Sequence, residues 1–361
     1  MQAINTALCS MGMSGTLFHA PFLSVNPKFN LYGVWERTNN LAEKKYPDIK
    51  TFRTLEALLA DENIELVVVN TPSITHFDFA KKVILAGKHL VVEKPFTPTV
   101  VEAENLILLA EEKNVKLSVY HNRRYDSDFR TLRKILDEGL LGKLVEAEFH
   151  FDRFVPELSK KAHKEEPTPG VGTLYDLGSH LIDQALVLFG VPKAIFGDLG
   201  INRTGSKVVD YFDLKLFYEW GRVILKSSYF VREALPGYVL HGSKGSFIKA
   251  KTDVQENCLL AGKIPGTANW GTEPEHERGF LHTEKDGKII KEEIPSLRGN
   301  YMDYYDGIYE AIRNNKPVPV SGAEGMLVTQ GGETNGYGFY LLKGKPVFTY
   351  NLLDMRRFRW E

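Results

Sequence analysis

Ser10-Met11-Gly12-Met13-Ser14-Gly15, lying between the apolar run Ile4–Cys9 and the first helical pattern, is the stretch from which the fold can be read. A dinucleotide fingerprint at a strand-to-helix junction makes three demands: a tight turn, a residue without a side chain where backbone meets pyrophosphate, and a small residue where helix packs on strand. Gly12 and Gly15 meet the second and third. Ser10 stands where the first glycine usually sits, which departs from the pattern. The helix that follows would aim its free N–H groups at phosphate, so Ser10, Gly12, Met13, Ser14 and Gly15 are the expected phosphate-side residues. A plain turn could use the same glycines, so context has to decide.

Context comes from the next strand. The run Asn30–Trp35 ends at Glu36, about twenty residues beyond the turn, where a carboxylate can hold both ribose hydroxyls. Glu36 would repel a 2′-phosphate and favours NAD; Arg37 beside it could stack on adenine or bind that phosphate and favours NADP. The balance leans to NAD.

Further apolar runs at Leu66–Asn70, His89–Val92 and Lys116–Tyr120 read as strands, with helical spacing over Thr54–Ala60, Phe77–Ala86 and Val100–Lys113 between them. Gly87 follows the second helix as a cap, and Thr97-Pro98-Thr99 introduces the third. Short strands alternating with helices imply a parallel sheet, whose ligand crevice lies at the carboxyl ends of the strands. Asn70-Thr71-Pro72 stands at one such end and is expected to border ribose and nicotinamide, with His76 beyond it; His76 is more simply a cap or packing residue of the helix that follows. Glu93-Lys94-Pro95 stands at another end. A lysine there can donate to a substrate oxygen, and partial desolvation would lower its pKa.

After Asn122 the texture changes. A basic helix is expected around Phe129–Glu138, then strands at Leu144–Phe154, Ala194–Asn202, Asp210–Tyr218, Val223–Val231 and Tyr238–Ala250. Strands joined only by turns must pair antiparallel. Helices over Leu174–Phe189 and Tyr301–Asn314 complete an α+β second domain. The expected fold class is therefore α/β: a Rossmann dinucleotide-binding domain, residues 1–122, followed by an α+β domain with a large, mainly antiparallel open sheet, residues 123–361, for substrate and oligomer contacts. Lys160–Gly170 is charged and Pro/Gly-rich, and could be a mobile cover over a site or a plain solvated connection.

The helix beginning at Leu174 holds Gly172-Thr173-Leu174-Tyr175-Asp176-Leu177-Gly178-Ser179-His180-Leu181-Ile182-Asp183. Helical spacing puts Asp176 and His180 on one face. A carboxylate and an imidazole so placed can share one substrate, the imidazole taking a proton near neutral pH. Such a pair is more often a surface contact or a cap; following a dinucleotide turn, it gains meaning.

Composition narrows the partners. The 361 residues suit two cores. Apolar residues make up 43% and charged residues 25%, a globular balance. With 45 Lys and Arg against 46 Asp and Glu the net charge is -1, so no global field draws a polyanion and nucleic acid is not expected. No apolar run reaches the roughly eighteen residues of a membrane span, and the amino terminus lacks a secretion signal, so a cytoplasmic location is expected. The two cysteines, Cys9 and Cys258, make neither a disulfide framework nor a zinc quartet. No metal site is expected.

Taken together, the glycine turn, Ala86-Gly87-Lys88-His89 leading into Glu93-Lys94-Pro95, and the Asp176/His180/Asp183 motif resemble the Gfo/Idh/MocA oxidoreductases over nearly the whole chain. Tyr120-His121-Asn122-Arg123-Arg124-Tyr125-Asp126 looks like the subgroup containing scyllo-inositol dehydrogenases. The resemblance implies an NAD(P)-dependent oxidoreductase acting on a secondary hydroxyl, or the matching ketone, of a sugar or inositol-like polyol. It implies that Lys94 orients substrate, often after a cis peptide bond, that Asp176 binds a hydroxyl beside the reacting carbon, that His180 is the acid/base, and that Asn122 lies near nicotinamide. Arg123 and Arg124 could equally pin a domain junction. It also implies a homodimer or homotetramer built on an exposed sheet face.

Two rivals are a glycoside-cleaving enzyme that uses NAD transiently and a non-catalytic NAD(P)-binding regulator; the latter need not keep Lys94, Asp176 and His180. Relatives carry an amphipathic helix after the segment matching Glu324-Gly325, whereas Gly331, Gly332, Gly336 and Gly338 stand there in this chain. Each is worth about 1 kcal/mol against a helix. That helix is expected to be broken or displaced.

Overall fold

Six strands pair in parallel in the order β3-β2-β1-β4-β5-β6: β1 (Ile4–Leu8), β2 (Phe29–Trp35), β3 (Lys50–Phe52), β4 (Leu66–Val69), β5 (His89–Glu93) and β6 (Leu117–Tyr120). This is the strand order of a dinucleotide-binding Rossmann sheet. The computed structural model describes residues 2–332 and 338–340. β4 and β6 are buried at every position, as strands covered on both faces must be. The strand that patterning missed, β3, spans 3 residues at the sheet edge, too short to show a period.

Capping explains the helix limits. Thr54 accepts the Ala57 N–H to start α2 (Leu55–Leu59), and Thr99 with Glu102 forms a reciprocal capping box for α4 (Val100–Glu112). α3 (His76–Leu85) ends before Gly87, whose φ of 70° suits glycine. Where one helix was expected after the glycine turn, a π-helical turn (Gly15–His19) leads into a short α1 (Ala20–Val25).

The chain folds into two compact units whose segments alternate along the sequence: residues 1–126, 253–272 and 299–329 in one; 127–252, 273–298 and the described residues from Gln330 in the other. Sequence reading placed a single cut at 122/123. Returning segments change this because their aromatic residues find burial in the first unit. Tyr301, Tyr304 and Tyr305, around the start of the helix Met302–Arg313, are fully buried. Tyr304 meets Tyr120 edge-on at 4.8 Å, and Trp270 meets Phe22 at 5.9 Å. Arg123, itself buried, binds Asp253, Glu256 at 2.5 Å and Tyr301 at 3.0 Å, while Arg124 pairs with Glu324 at 2.7 Å. All these partners belong to the first unit.

The second unit contains α5 (Ser127–Asp137), α6 (Ser179–Phe189) and a nine-stranded sheet. Its strands are β7 (Leu144–His150), β8 (Ala194–Gly200), β9 (Tyr211–Phe217), β10 (Arg222–Ser228), β11 (Tyr238–Gly242), β12 (Gly245–Lys249), β13 (Gly279–Lys285), β14 (Lys288–Ile294) and β15 (Gly338–Tyr340), in the order β14-β13-β12-β11-β7-β10-β9-β8-β15. Every pairing is antiparallel except β7 with β10.

Tyr238–Ala250 is two strands, β11 and β12, folded back at Ser243-Lys244; any Cβ on Gly245 would lie 2.3 Å from the His282 carbonyl. β13 and β14 went unread, although Asp286-Gly287 between them, at φ 52° and 74°, is a two-residue hairpin signal. A helix spans Gly322–Gly332 with Gly331 and Gly332 as its last two residues, Gly331 passing close to Ile182; whether the expected helix is broken beyond them lies outside the described residues. Gly336 lies outside the described residues, and Gly338 begins β15.

Candidate active site

The glycine turn explains its own departure. Ser10 Oγ accepts the Gly12 N–H at 2.9 Å, so the hydroxyl closes the turn where a first glycine would have bent it. A Cβ on Gly15 would lie 2.1 Å from the Ser10 carbonyl oxygen and 2.9 Å from Asn70 Nδ2, which makes Gly15 obligatory for packing. Asn70 Nδ2 donates to that same carbonyl at 2.8 Å, tying the turn to the end of β4. Met13 is exposed beside Gly12. A backbone this tightly drawn, at the carboxyl edge of the parallel sheet, fits a dinucleotide pyrophosphate.

Glu36 is placed differently from its expected role. It is buried, and its two carboxylate oxygens accept the N–H groups of Leu41 at 3.0 Å and Ala42 at 3.1 Å. The carboxylate thus caps the turn after β2. Arg37 next to it is exposed. Arg53, which sequence reading passed over, donates to the carbonyls of Glu36 at 3.0 Å and Asn39 at 2.9 Å and to Asn40 Oδ1, fixing the same turn.

Thr71 Oγ1 lies 2.8 Å from Thr75 Oγ1, with Pro72 exposed between. His76 is buried: Nε2 lies 2.9 Å from the Thr71 carbonyl and Nδ1 2.9 Å from that of Pro95. Burial pushes its pKa down. It therefore splices the loop after β4 to the loop after β5, a packing role. Lys94 follows the buried Glu93 through a backbone N–H that donates to Glu93 Oε2 at 3.1 Å, and precedes a cis Lys94–Pro95 bond. Asn122 is buried at the start of the turn after β6.

In the second unit Asp176 and His180 stand on either side of a change in helix type. Leu174–Gly178 is a π-helical turn and α6 begins at Ser179, so the α-helical spacing assumed between them does not apply. The Asp176 carboxylate is half-exposed and 3.6 Å from Lys164 Nζ. His180 is buried with its ring 6.2 Å from that of Phe151, and Asp183 is buried one turn on.

The loop before this turn is pinned. Arg203, almost wholly buried, grips Glu165 through both nitrogens, bonds Asp210 at 3.2 Å and lies 5.0 Å over the Tyr229 ring. No composition signal marks Arg203, because its partners are far apart in sequence.

Among the described residues, no group of three or more His, Cys, Asp or Glu side chains could hold a metal ion, and no helix is long and apolar enough to cross a membrane.

Comparison with known proteins adds independent support. Residues 4–121 match the model described as an oxidoreductase family with an NAD-binding Rossmann fold, and residues 129–248 match its C-terminal domain. The chain is 39% identical to scyllo-inositol 2-dehydrogenase (NADP(+)) IolW of Bacillus subtilis over 328 residues, 91% of each chain. An oxidoreductase from Bacteroides fragilis superposes with a TM-score of 0.85 at 44% identity, covering 94% of this chain and 100% of that one. The yvaA oxidoreductase of Bacillus subtilis gives 0.90 at 37%, covering 95% and 99%. The chain belongs to the GFO/IDH/MocA oxidoreductase family and is a dehydrogenase with a dinucleotide-binding Rossmann domain.

Proposed function

We propose that the protein transfers hydride between a nicotinamide dinucleotide and a secondary hydroxyl, or the matching ketone, of a sugar or inositol-like polyol. The observation that carries this reading is the glycine turn closed by Ser10 at the same sheet edge as Lys94. The likeness to an inositol dehydrogenase supports the substrate class.

When bound, the nicotinamide supplies the hydride acceptor. His180 takes the hydroxyl proton as the C–H bond breaks, worth about 10²–10⁴-fold for a well-placed group. Lys94 donates to the developing oxyanion, and Asp176 accepts a neighbouring hydroxyl and so orients the ring.

For the cofactor we propose NADP over the NAD first favoured. The lean to NAD assumed a Glu36 carboxylate free to take ribose hydroxyls, but both oxygens accept backbone amides. Arg37, exposed at the same turn, can meet a 2′-phosphate. The NADP-linked name of the Bacillus subtilis relative supports the same choice.

A homo-oligomer in the cytoplasm completes the proposal. Strand alternation leaves Phe280 and Ile248 paired on one sheet face, 44% and 38% exposed, where a second copy would cover them. The two cysteines, Cys9 and Cys258, are both free thiols, which suits a reducing compartment.

The test is a spectrophotometric screen of inositols, other polyols and aldoses with each oxidised dinucleotide. Accumulation of reduced cofactor with a polyol is the expected result. Turnover of a glycoside without accumulation would favour transient use of the cofactor, and tight binding without any turnover would favour a regulator.

A further inference from the structure

His19 is fully buried, and nothing in the sequence pattern singled it out. It closes the π-helical turn Gly15–His19, a local widening of the helix that recurs at functional sites. Its Nδ1 lies 2.6 Å from Tyr305 Oη and its Nε2 2.9 Å from Glu93 Oε1. The same carboxylate oxygen accepts the Ser14 hydroxyl at 2.5 Å, and the other accepts the Lys94 N–H at 3.1 Å. One carboxylate therefore joins the glycine turn, the first helix and the backbone of Lys94.

Chemistry assigns the protons. Burial works against a charge on Glu93, but the hydrogen bond and the charge interaction from His19, the Ser14 hydroxyl and the charge of Lys94 bring its pKa down to about 2. An ionised carboxylate only accepts, so Nε2 of His19 must carry a proton. Burial holds the Tyr305 phenol well above its ordinary value, so its O–H persists within hydrogen-bond distance of Nδ1.

We propose that His19 is a positioning residue for the dinucleotide turn and for Lys94, donating to Glu93 so that one buried carboxylate holds Ser14 and the Lys94 backbone in register. The inference rests on the dehydrogenase reading above. Without the imidazole, Glu93 stays buried but loses its strongest donor, and a buried carboxylate so deprived takes up a proton more readily. Protonation would turn an acceptor of Ser14 and Lys94 into a competing donor and loosen the turn.

The experiment titrates full-length wild type, His19→Ala, His19→Asn and His19→Gln with NADH and NADPH by fluorescence, without substrate, between about pH 5 and pH 8. Melting temperatures of the cofactor-free proteins are measured in parallel. Wild type should bind with a flat pH profile. His19→Ala should bind at least about tenfold more weakly, and more weakly still as pH falls, since losing a charge-assisted hydrogen bond is worth that factor. His19→Gln, whose amide can reach Glu93, should recover most of the affinity. His19→Asn, polar but too short for Glu93, should behave like the alanine variant and carries the test if alanine prevents folding. Wild-type affinity and a flat profile in His19→Ala or His19→Asn would overturn the inference alone. So would a folded His19→Gln as weak as His19→Asn. If wild type itself binds neither dinucleotide, the proposed function fails and this inference with it.

Discussion

Arg203 and Glu165 meet fork to carboxylate, Nη1 to Oε1 and Nη2 to Oε2 each at 3.1 Å, in the middle of the Lys160–Gly170 loop, whose composition suits a mobile cover or a plain solvated connection. The guanidinium is desolvated and also bonds Asp210, so the loop is held by a buried charge. Removing Glu165 leaves that charge half-satisfied. Glu165→Ala should lower stability by about 2–3 kcal/mol. It should also open the stretch around Lys164 to proteases, read by limited proteolysis and the melting temperature. An uncut, equally stable variant would mean that the grip is unimportant.

Replacing His180 separates chemistry from binding. His180→Ala should lower turnover at least about a hundredfold while the dissociation constant for NADPH stays within about twofold. Steady-state kinetics and fluorescence titration measure the two. Full activity would show that another group carries the proton.

Arg37 should read the 2′-phosphate. Arg37→Ala should raise KM for NADP about tenfold or more, the worth of a charge-assisted contact, and leave KM for NAD within about twofold. Equal losses on both dinucleotides would point to stacking on adenine instead.

Gly15 is tested by its missing side chain. In Gly15→Ala the new methyl would press on the Ser10 carbonyl, a backbone atom that cannot swing aside. Overpacking of this kind is worth about 1–3 kcal/mol in stability. Calorimetry should show dinucleotide binding lost, and a variant that binds normally would show that the turn is not where pyrophosphate enters.

His150 gives the second unit a pH signature. It lies between Asp152 at 3.0 Å and Glu148 at 2.7 Å. Burial favours the neutral ring, yet the hydrogen bonds and charges of the two carboxylates outweigh it and raise the pKa above 6.5. A raised folded-state value means that the ion pairs contribute fully below 6.5 and are lost as pH rises through the shifted value. The stability gap between wild type and His150→Gln should therefore shrink as pH climbs from neutrality. Denaturant melts at a series of pH values, with NMR titration of the imidazole, would show it; a gap that widens would contradict the pairing.

Period and punctuation marked β1, β4, β5 and β6, because a strand covered on both faces is mostly apolar and is bounded by turn and helix signals. Gly15 was legible since its spacing from Gly12 reflects a purely local turn. Glu36 was found by spacing, but nothing local says that its carboxylate turns back to the amides of Leu41 and Ala42. His19 went unnoticed because Glu93 and Tyr305 lie 74 and 286 residues away.

By itself, then, the order of residues determined the two sheet types, the tight glycine turn after β1 and the residue types offered for chemistry, all of which follow from hydrophobic period and short-range backbone geometry. Tertiary structure alone decided that residues 253–272 and 299–329 return to the first unit, that Arg203 grips Glu165, and that Glu93 gathers Ser14, His19 and Lys94. Those pairings depend on which distant groups share a dry space, where an unmatched charge is costly, and separation along the chain carries no trace of it.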